Sequence, residues 1–286
     1  MRPSASREGS SHGVYGEPIT STQNALVKRA ASLQYHKFRR RHNAFLVEGA
    51  DLVAAGLVAG QRPQAIFVQA EDTGVPELRE LPLGGASLPV AVVTRRVAAH
   101  ISSLETPPAV MAVFPLLVPP PLAALSSTHT LGLYADRVAD PGNLGTLVRA
   151  AAAFGATCVL TSPESADLFA PKVVRASMGA VFGVPLYSGW TLSRALEELA
   201  SARVYGLVAH GGADPGAVPL CRPALVCVGA ERVGLSPAVL EMVDQPLTIP
   251  LAGAVAGVES LNAGVAGAIA LYEFSRRTGG IPTAGR

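Results

Sequence analysis

Charge and aromatic residues are scarce in this sequence of 286 residues: 15% are charged, 5% are aromatic, and there is one Trp. Hydrophobic residues nevertheless make up 49% of the chain, and its formal net charge is only +2. A chain disordered throughout needs low hydrophobicity and high net charge, so that class is excluded. The only cysteines, Cys158, Cys221 and Cys227, show no CxxC spacing. A disulfide scaffold is therefore excluded, and the thiols read as reduced in a cytoplasmic protein. With 29 Gly and 23 Pro, a coiled coil is excluded too. The longest uncharged stretch, 106–135, is interrupted by six prolines, so no transmembrane helix is expected there. Residues 1–16 are rich in Ser, Gly and Arg and lack an apolar core, which predicts a disordered tail rather than a signal peptide.

Several signatures of common α/β enzymes are also missing. There is no G-x-G-x-x-G for a dinucleotide and no G-x-x-x-x-G-K-S/T for nucleotide hydrolysis. No G-x-S-x-G marks a hydrolase nucleophile. The six His residues are scattered, without H-E-x-x-H or a Cys/His spacing suited to zinc, so no metal is expected.

What is present is organised around a proline cluster. Pro115, Pro119, Pro120 and Pro121 predict an extended spacer over 115–127. It separates an expected first domain, 17–114, from a second, 128–277, followed by a flexible tail at 278–286. In the first domain Asn24–Leu33 and Ala50–Ala59 read as helices, and Ala44–Val47, Ala65–Val68 and Val90–Val93 as strands. In the second, strands at Leu131–Ala135, Thr157–Leu160, Val204–Val208, Ala224–Val228 and Leu247–Ile249 alternate with helices. Those helices are expected at Leu144–Phe154, Leu192–Ser201, just after Ser236, and at Leu261–Arg277, the last with Ser260 as its N-cap. The pattern is a parallel α/β sheet with helices on its faces, and ligands of such sheets sit beyond the carboxyl ends of the strands.

Charge is segregated. Between Ile19 and Val47 lie Lys28, Arg29, Lys37, Arg39, Arg40 and Arg41, with His36 and His42, and no Asp or Glu. Tyr35 and Phe38 are interleaved with them. Such a segment can neutralise phosphates and offer rings for stacking, or can be a solvated basic helix face. The 20 Arg against 3 Lys fit GC-rich coding, as does the abundance of Ala, Gly and Val.

Three polar, Gly-bearing segments follow expected strands: 140–145 (DPGNLG) with Arg149 beyond it, 229–236 (GAERVGLS), and 249–253 (IPLAG) leading to 259–262 (ESLN). Singly, each has an ordinary reading. Asp-Pro-Gly-Asn is a good helix start, with Pro presetting φ, Gly at positive φ and Asn as the cap. Glu231 could be a solvated loop carboxylate, Arg149 a surface residue, and Ser260 a cap. Together, at strand ends of one sheet, they point to a shared pocket.

The order DRVADPGNLGTLVRAAAAFG (136–155), VGAERVGLS (228–236) and IPL…VESLNAGVAGAIALYE (249–273) resembles the three motifs of the SpoU/TrmH family of RNA ribose 2'-O-methyltransferases. The stretch ITSTQNALVKRA…KFRRRHNAFLVEGA (19–50) resembles the substrate-binding domain many members carry. The resemblance implies an α/β catalytic domain with a deep trefoil knot at its carboxyl end, an exception to the usual absence of knots. It also implies a smaller N-terminal α/β domain like a ribosomal RNA-binding protein, a homodimer, and S-adenosylmethionine as cofactor.

By position, the resemblance places the cofactor against Val208, Ala209, Gly229, Ala230, Ile249, Leu251 and Leu261. It places Asn143, Arg149, Glu231, Ser260 and Asn262 near the reacting centre, and RNA against Lys28, Lys37, Arg39, Arg40, Arg41 and Arg137. The family proposal makes the Arg149 position the general base. A guanidinium with a pKa above about 12 is an awkward base, and its fork equally suits a phosphate. Both roles remain open. Asn143 and Arg149 do not share a helix face at 100° per residue. Glu231 is expected to orient a positive group, and Ser260 and Asn262 to donate hydrogen bonds at the last helix start. The segment PLAGAVAGVE between Ile249 and Ser260 exceeds the family spacing and predicts a longer third loop. Expected substrates are 23S ribosomal RNA, with a role in antibiotic resistance or in housekeeping, or else tRNA. A non-catalytic RNA-binding factor is the alternative from another class.

Overall fold

A computed structural model describes residues 17–72, 89–252 and 260–279. The tail at 1–16, the stretch Gly253–Glu259 with its expected longer loop, and the tail from 280 onward lie outside the described residues. The chain divides into two compact units at Pro115/Leu116.

The first unit contains α1 (Ala25–Ser32), α2 (His36–His42), β1 (Ala44–Glu48), α3 (Ala50–Val58), β2 (Ala65–Gln69), β3 (Val90–Val93), α4 (Arg95–Ile101) and β4 (Val110–Pro115). Its sheet runs β1-β4-β2-β3. β4 is antiparallel to both neighbours, while β2 and β3 are parallel. The basic segment is therefore a helix, which its lack of an apolar stripe concealed. β4, with Pro115 as its last residue, was hidden beside the prolines.

α1 is capped by Asn24, whose side chain accepts from the Leu26 amide at 2.9 Å. Its inward stripe of Val27 and Ala30, continued by Leu33, packs with Leu46, Phe67, Val97 and Ile101 into one core. At the end of β1 the buried Glu48 carboxylate accepts from the Ser102 hydroxyl at 2.6 Å and the Ser103 amide and hydroxyl at 2.8 Å each. A buried carboxylate is tolerable only when its oxygens are bonded in this way.

The second unit holds β5 (Leu131–Ala135), α5 (Pro141–Ala153), β6 (Cys158–Thr161), α6 (Pro171–Ala176), β7 (Leu186–Ser188), α7 (Leu192–Glu198), β8 (Arg203–Leu207), β9 (Ala224–Val228), α8 (Pro237–Leu240), β10 (Gln245–Leu247) and α9 (Ala263–Arg277). All six strands are parallel, in the order β10-β8-β9-β5-β6-β7. Apolar runs such as LGLYA and ALVCV are buried along their whole length, as strands covered on both faces must be.

The proline segment is not a detached spacer. A 3₁₀ turn at Leu122–Leu125 seats buried Leu122 in the core of the second unit, and the Pro120 carbonyl accepts from the Tyr187 hydroxyl at 2.6 Å. Two helix starts also differ from the sequence reading. Pro141, with φ locked, occupies the first turn of α5, so Asp140 becomes the cap and accepts from the Asn143 amide at 2.8 Å. Gly142 sits inside that turn and is not among the positive-φ glycines. α9 starts two residues later than the expected Leu261, and its cap is Asn262, which accepts from the Val265 amide at 3.2 Å, rather than Ser260.

Candidate active site

The carboxyl ends of β8, β9 and β10 open into one cavity of about 460 Å³, within the range of small-molecule sites. Its walls come from Leu207–His210, Val228–Leu235, Leu240, Leu247, Ile249, Leu251 and the start of α9 at Ser260, Leu261, Ala263 and Ala266. All seven residues expected to hold a cofactor (Val208, Ala209, Gly229, Ala230, Ile249, Leu251 and Leu261) lie on this wall. His210, Leu240 and Ala266 also line it and were missed; nothing in their local sequence marks them.

Backbone geometry shapes the cavity. The loop after β9 closes on itself, with the Ala230 and Gly234 amides each donating to the other's carbonyl at 3.2 and 2.8 Å. Gly229 lies directly under this turn, and a Cβ there would overlap the Gly234 carbonyl and the Leu235 nitrogen. The loops after β8 and β10 are joined by the Thr248 hydroxyl, which donates to the Val208 carbonyl at 3.0 Å and accepts from the Gly212 amide at 2.9 Å.

At the mouth stands a polar cluster. The Asn143 amide nitrogen donates to Glu231 Oε1 at 2.6 Å, and Asn262 Nδ2 donates to the same oxygen at 2.6 Å. Asn262 Nδ2 also donates to Asn143 Oδ1 at 2.8 Å. Glu231 thus orients two neutral amides and not the positive group expected of it. The cluster forms because α9 lies close along α5. A Cβ on Gly267 would overlap the Leu147 side chain, so glycine there permits the approach. Ser260 is exposed on the cavity wall, and Arg149 is exposed on α5 with no side-chain partner among the described residues.

Two expected RNA contacts have other work. Arg39 is 3% exposed, and its guanidinium donates to the Leu33 and Gln34 carbonyls at 2.8 and 2.9 Å, satisfying the orphan end of α1. Arg137, at φ 55°, donates to the Gly234 carbonyl at 3.4 Å and so braces the β9 loop. Beside it the buried Asp136, unmarked in the sequence, accepts from the Ser236 amide at 2.6 Å and holds the other end of that loop. Lys28, Lys37, Arg40 and Arg41 are exposed.

The two buried thiols of the sheet are held protonated. Burial pushes the Cys158 thiol up to about 12 and raises that of Cys227 further, where Asp136 adds to the effect. Bonding to the Asn143 amide, aided by nearby Lys172, holds the Asp140 carboxyl below the usual range. Among the described residues no group of three or more His, Cys, Asp or Glu could hold a metal ion, and no helix is long and apolar enough to cross a membrane.

An α/β unit of parallel strands with a cavity at its carboxyl edge and an amide–carboxylate cluster at the mouth is the frame of a protein that binds a small molecule there. Residues 130–272 match the SpoU rRNA methylase family and residues 24–112 the MRM3-like substrate-binding domain. The chain belongs to the SpoU rRNA methylase family. It is 32% identical over 258 residues to the 23S rRNA (guanosine(2553)-2'-O)-methyltransferase RlmP of Bacillus subtilis, across 90% of this chain and 98% of the relative. It is 29% identical to the 23S rRNA (uridine(2479)-2'-O)-methyltransferase of Streptomyces viridochromogenes, across 91% and 92% of the two chains. The crystal structure of the SpoU methyltransferase AviRb from the same organism, in complex with AdoMet, superposes with a TM-score of 0.79 at 26% identity, over 92% of this chain and all of that one. The AdoMet-bound rRNA methyltransferase of Sinorhizobium meliloti gives 0.77 at 27% identity, over 91% and 97%.

Proposed function

We propose that this chain is an S-adenosylmethionine-dependent RNA ribose 2'-O-methyltransferase acting on 23S ribosomal RNA. The observation that carries the reading is the meeting of Asn143, Glu231 and Asn262 at the mouth of the β8–β9–β10 cavity. The residues fit the cofactor. Its size suits a cavity of about 460 Å³, Leu247, Leu261 and Ala266 give an apolar wall, and Gly229 lets the turn that carries Glu231 pack directly against it. When bound, S-adenosylmethionine supplies an electrophilic methyl group on a sulfonium.

The chain's own part is to align a ribose hydroxyl in line with that methyl, since positioning supplies much of the acceleration in such displacements. Glu231 Oε1 is occupied by the two amides, so Oε2 is the oxygen available to a hydroxyl of the substrate. Asn143 and Asn262 hold that carboxylate still, and Ser260 stands ready to donate from the cavity wall. Arg149 anchors the phosphate beside the target. Its planar fork of donors matches the geometry of a phosphate, and it is exposed on α5.

Family membership supports the rest of the reading. The carboxyl end of the second unit is threaded as a trefoil knot, and the protein works as a cytoplasmic homodimer. Val265 and Tyr272, 45% and 48% exposed and two turns apart on α9, offer an apolar stripe for the second copy. Residues 17–114 bind substrate and 128–277 carry the chemistry, with Lys28, Lys37, Arg40 and Arg41 meeting phosphates. Protection of the ribosome from an antibiotic is the further role, tested by drug sensitivity of a host expressing the chain.

The deciding experiment incubates the chain with labelled S-adenosylmethionine and separate pools of 23S RNA and tRNA. Label at an alkali-resistant linkage in 23S RNA is expected. Label in tRNA moves the target, and no label without cofactor binding removes the enzymatic reading.

A further inference from the structure

The first unit contains a second cavity, of about 480 Å³, that the methyl-transfer site does not use. It lies among α1, α2 and α4, and Lys28, Ser32, Gln34, Tyr35, Phe38 and His100 line it. Tyr35 stands at its edge, 63% exposed. Its one ring contact among the described residues is with Phe38, edge to face, with centroids 6.5 Å apart and planes at 70°. Phe38 itself is engaged, since Lys37 Nζ sits 4.9 Å over its ring and His42 stacks on it at 6.1 Å. The Tyr35 hydroxyl has no partner among the described residues, and its ring has none there besides Phe38, so at least one face is open.

The polar groups beside it are of two kinds. Gln34 Nε2 donates to the Ile101 and Ser102 carbonyls at 2.8 and 3.1 Å. That fixes the amide and leaves Oε1 as an acceptor without a partner among the described residues. Lys28 and His100 supply donors, and among the described residues no carboxylate lines the cavity. A free aromatic face, a fixed acceptor and the Lys28 ammonium match the face, edge and phosphate of one nucleotide. The bases of a duplex stay stacked and present no face to Tyr35. An acidic peptide would use the Lys28 ammonium and leave the ring idle.

We propose that this cavity receives one unstacked base from a single-stranded segment of the RNA, stacked on Tyr35, with Gln34 Oε1 reading its edge and Lys28 meeting its phosphate. The proposal rests on RNA being the substrate, as argued above. It adds a base-reading pocket to the phosphate contacts of α2.

The test measures fluorescence anisotropy of the full chain with a labelled single-stranded RNA of about twelve nucleotides and with a duplex of equal length. Tyr35→Ala is expected to weaken single-strand binding about tenfold and leave duplex binding unchanged, and Tyr35→Trp to restore it. Lys28→Gln is expected to lower the salt slope of binding by roughly one phosphate's worth. Unchanged single-strand affinity in Tyr35→Ala, an equal loss on the duplex, or no rescue by Trp overturns the pocket. Displacement of RNA by poly-glutamate at matched charge, with Tyr35→Ala silent, assigns the cavity to a protein partner instead. S-adenosylmethionine binding, followed by calorimetry in the same variants, reports on the enzymatic reading separately, because Tyr35 does not line that cavity.

Discussion

Asn262 and Asn143 lie 119 positions apart, yet the Asn262 amide donates to the Asn143 carbonyl oxygen at 2.8 Å while both donate to one Glu231 oxygen at 2.6 Å. Three loops of one sheet edge are thereby tied at a single carboxylate oxygen. Each Asn also has a role in its own helix: the Asn143 backbone amide is capped by Asp140, and the Asn262 carbonyl caps α9. The cluster is therefore built into the two helix starts, and its geometry depends on both.

Glu231→Gln should keep the two amide bonds, since the Gln carbonyl oxygen can accept both as Oε1 does. It replaces Oε2 by an amide donor and removes the charge, so the hydroxyl of the substrate loses its acceptor. Loss of such a positioned group costs on the order of 100-fold in rate, and kcat for methyl transfer should fall by that much. The double variant Glu231→Gln/Asn143→Ala should lose little more than the worse single one, since the two residues act as a unit. Full additivity in steady-state kinetics would mean that they do not.

Gly229→Ala tests the cavity wall. An added methyl overlaps the Gly234 carbonyl and Leu235 nitrogen, so the turn that carries Glu231 must move. Overpacking of this kind costs about 1–3 kcal/mol. Both Tm and the affinity for S-adenosylmethionine should drop, the first read by calorimetric melting and the second by titration. A variant that melts normally and binds normally would show the loop to be more compliant than its contacts imply.

Strands in both units were legible where they are short apolar runs buried along their whole length. AFLVE and AIFVQ in the first unit, and LGLYA and ALVCV in the second, stand out in this way. The helix α2 was not legible, because HKFRRRH carries no apolar stripe and its inward residue is a charged one. That residue, Arg39, reads as a phosphate contact until the α1 end beneath it is known. Asp136 was invisible for a related reason: its partner amide, Ser236, is 100 residues away. Helix caps erred by two or three residues, since the choice between Asp140 and Asn143, or Ser260 and Asn262, turns on where the first turn closes.

Arg39 and Arg41 should accordingly part company. Arg39→Ala removes donors from two carbonyls at the end of α1 and should destabilise the first unit by about 2 kcal/mol, the scale for hydrogen bonds made by a charged group. Urea unfolding reads this directly. Arg41→Ala, exposed, should leave the urea midpoint in place and reduce the salt slope of RNA binding by roughly 0.7, the share of one single-strand phosphate. The reverse pattern would return Arg39 to the RNA surface.

Asp140 gives a pH dependence with a definite sign. Its carboxyl is held below the ordinary range, first by the Asn143 backbone amide and then by Lys172, whose Nζ lies 3.6 Å away. A group depressed in the folded chain binds its proton more readily when unfolded, so its contribution to stability is complete above the unfolded value of about 3.9. It fades as pH falls through the lower folded value. Asp140→Asn keeps a side chain able to cap α5 but removes the charge. The stability gap between wild type and this variant should be constant near neutrality and close as pH drops below about 4. Denaturant midpoints taken across that range decide it. A gap that persists at the acid end would mean that the cap geometry, and not the carboxylate charge, distinguishes Asp140, and the helix start that presents Asn143 to Glu231 would then be insensitive to acid.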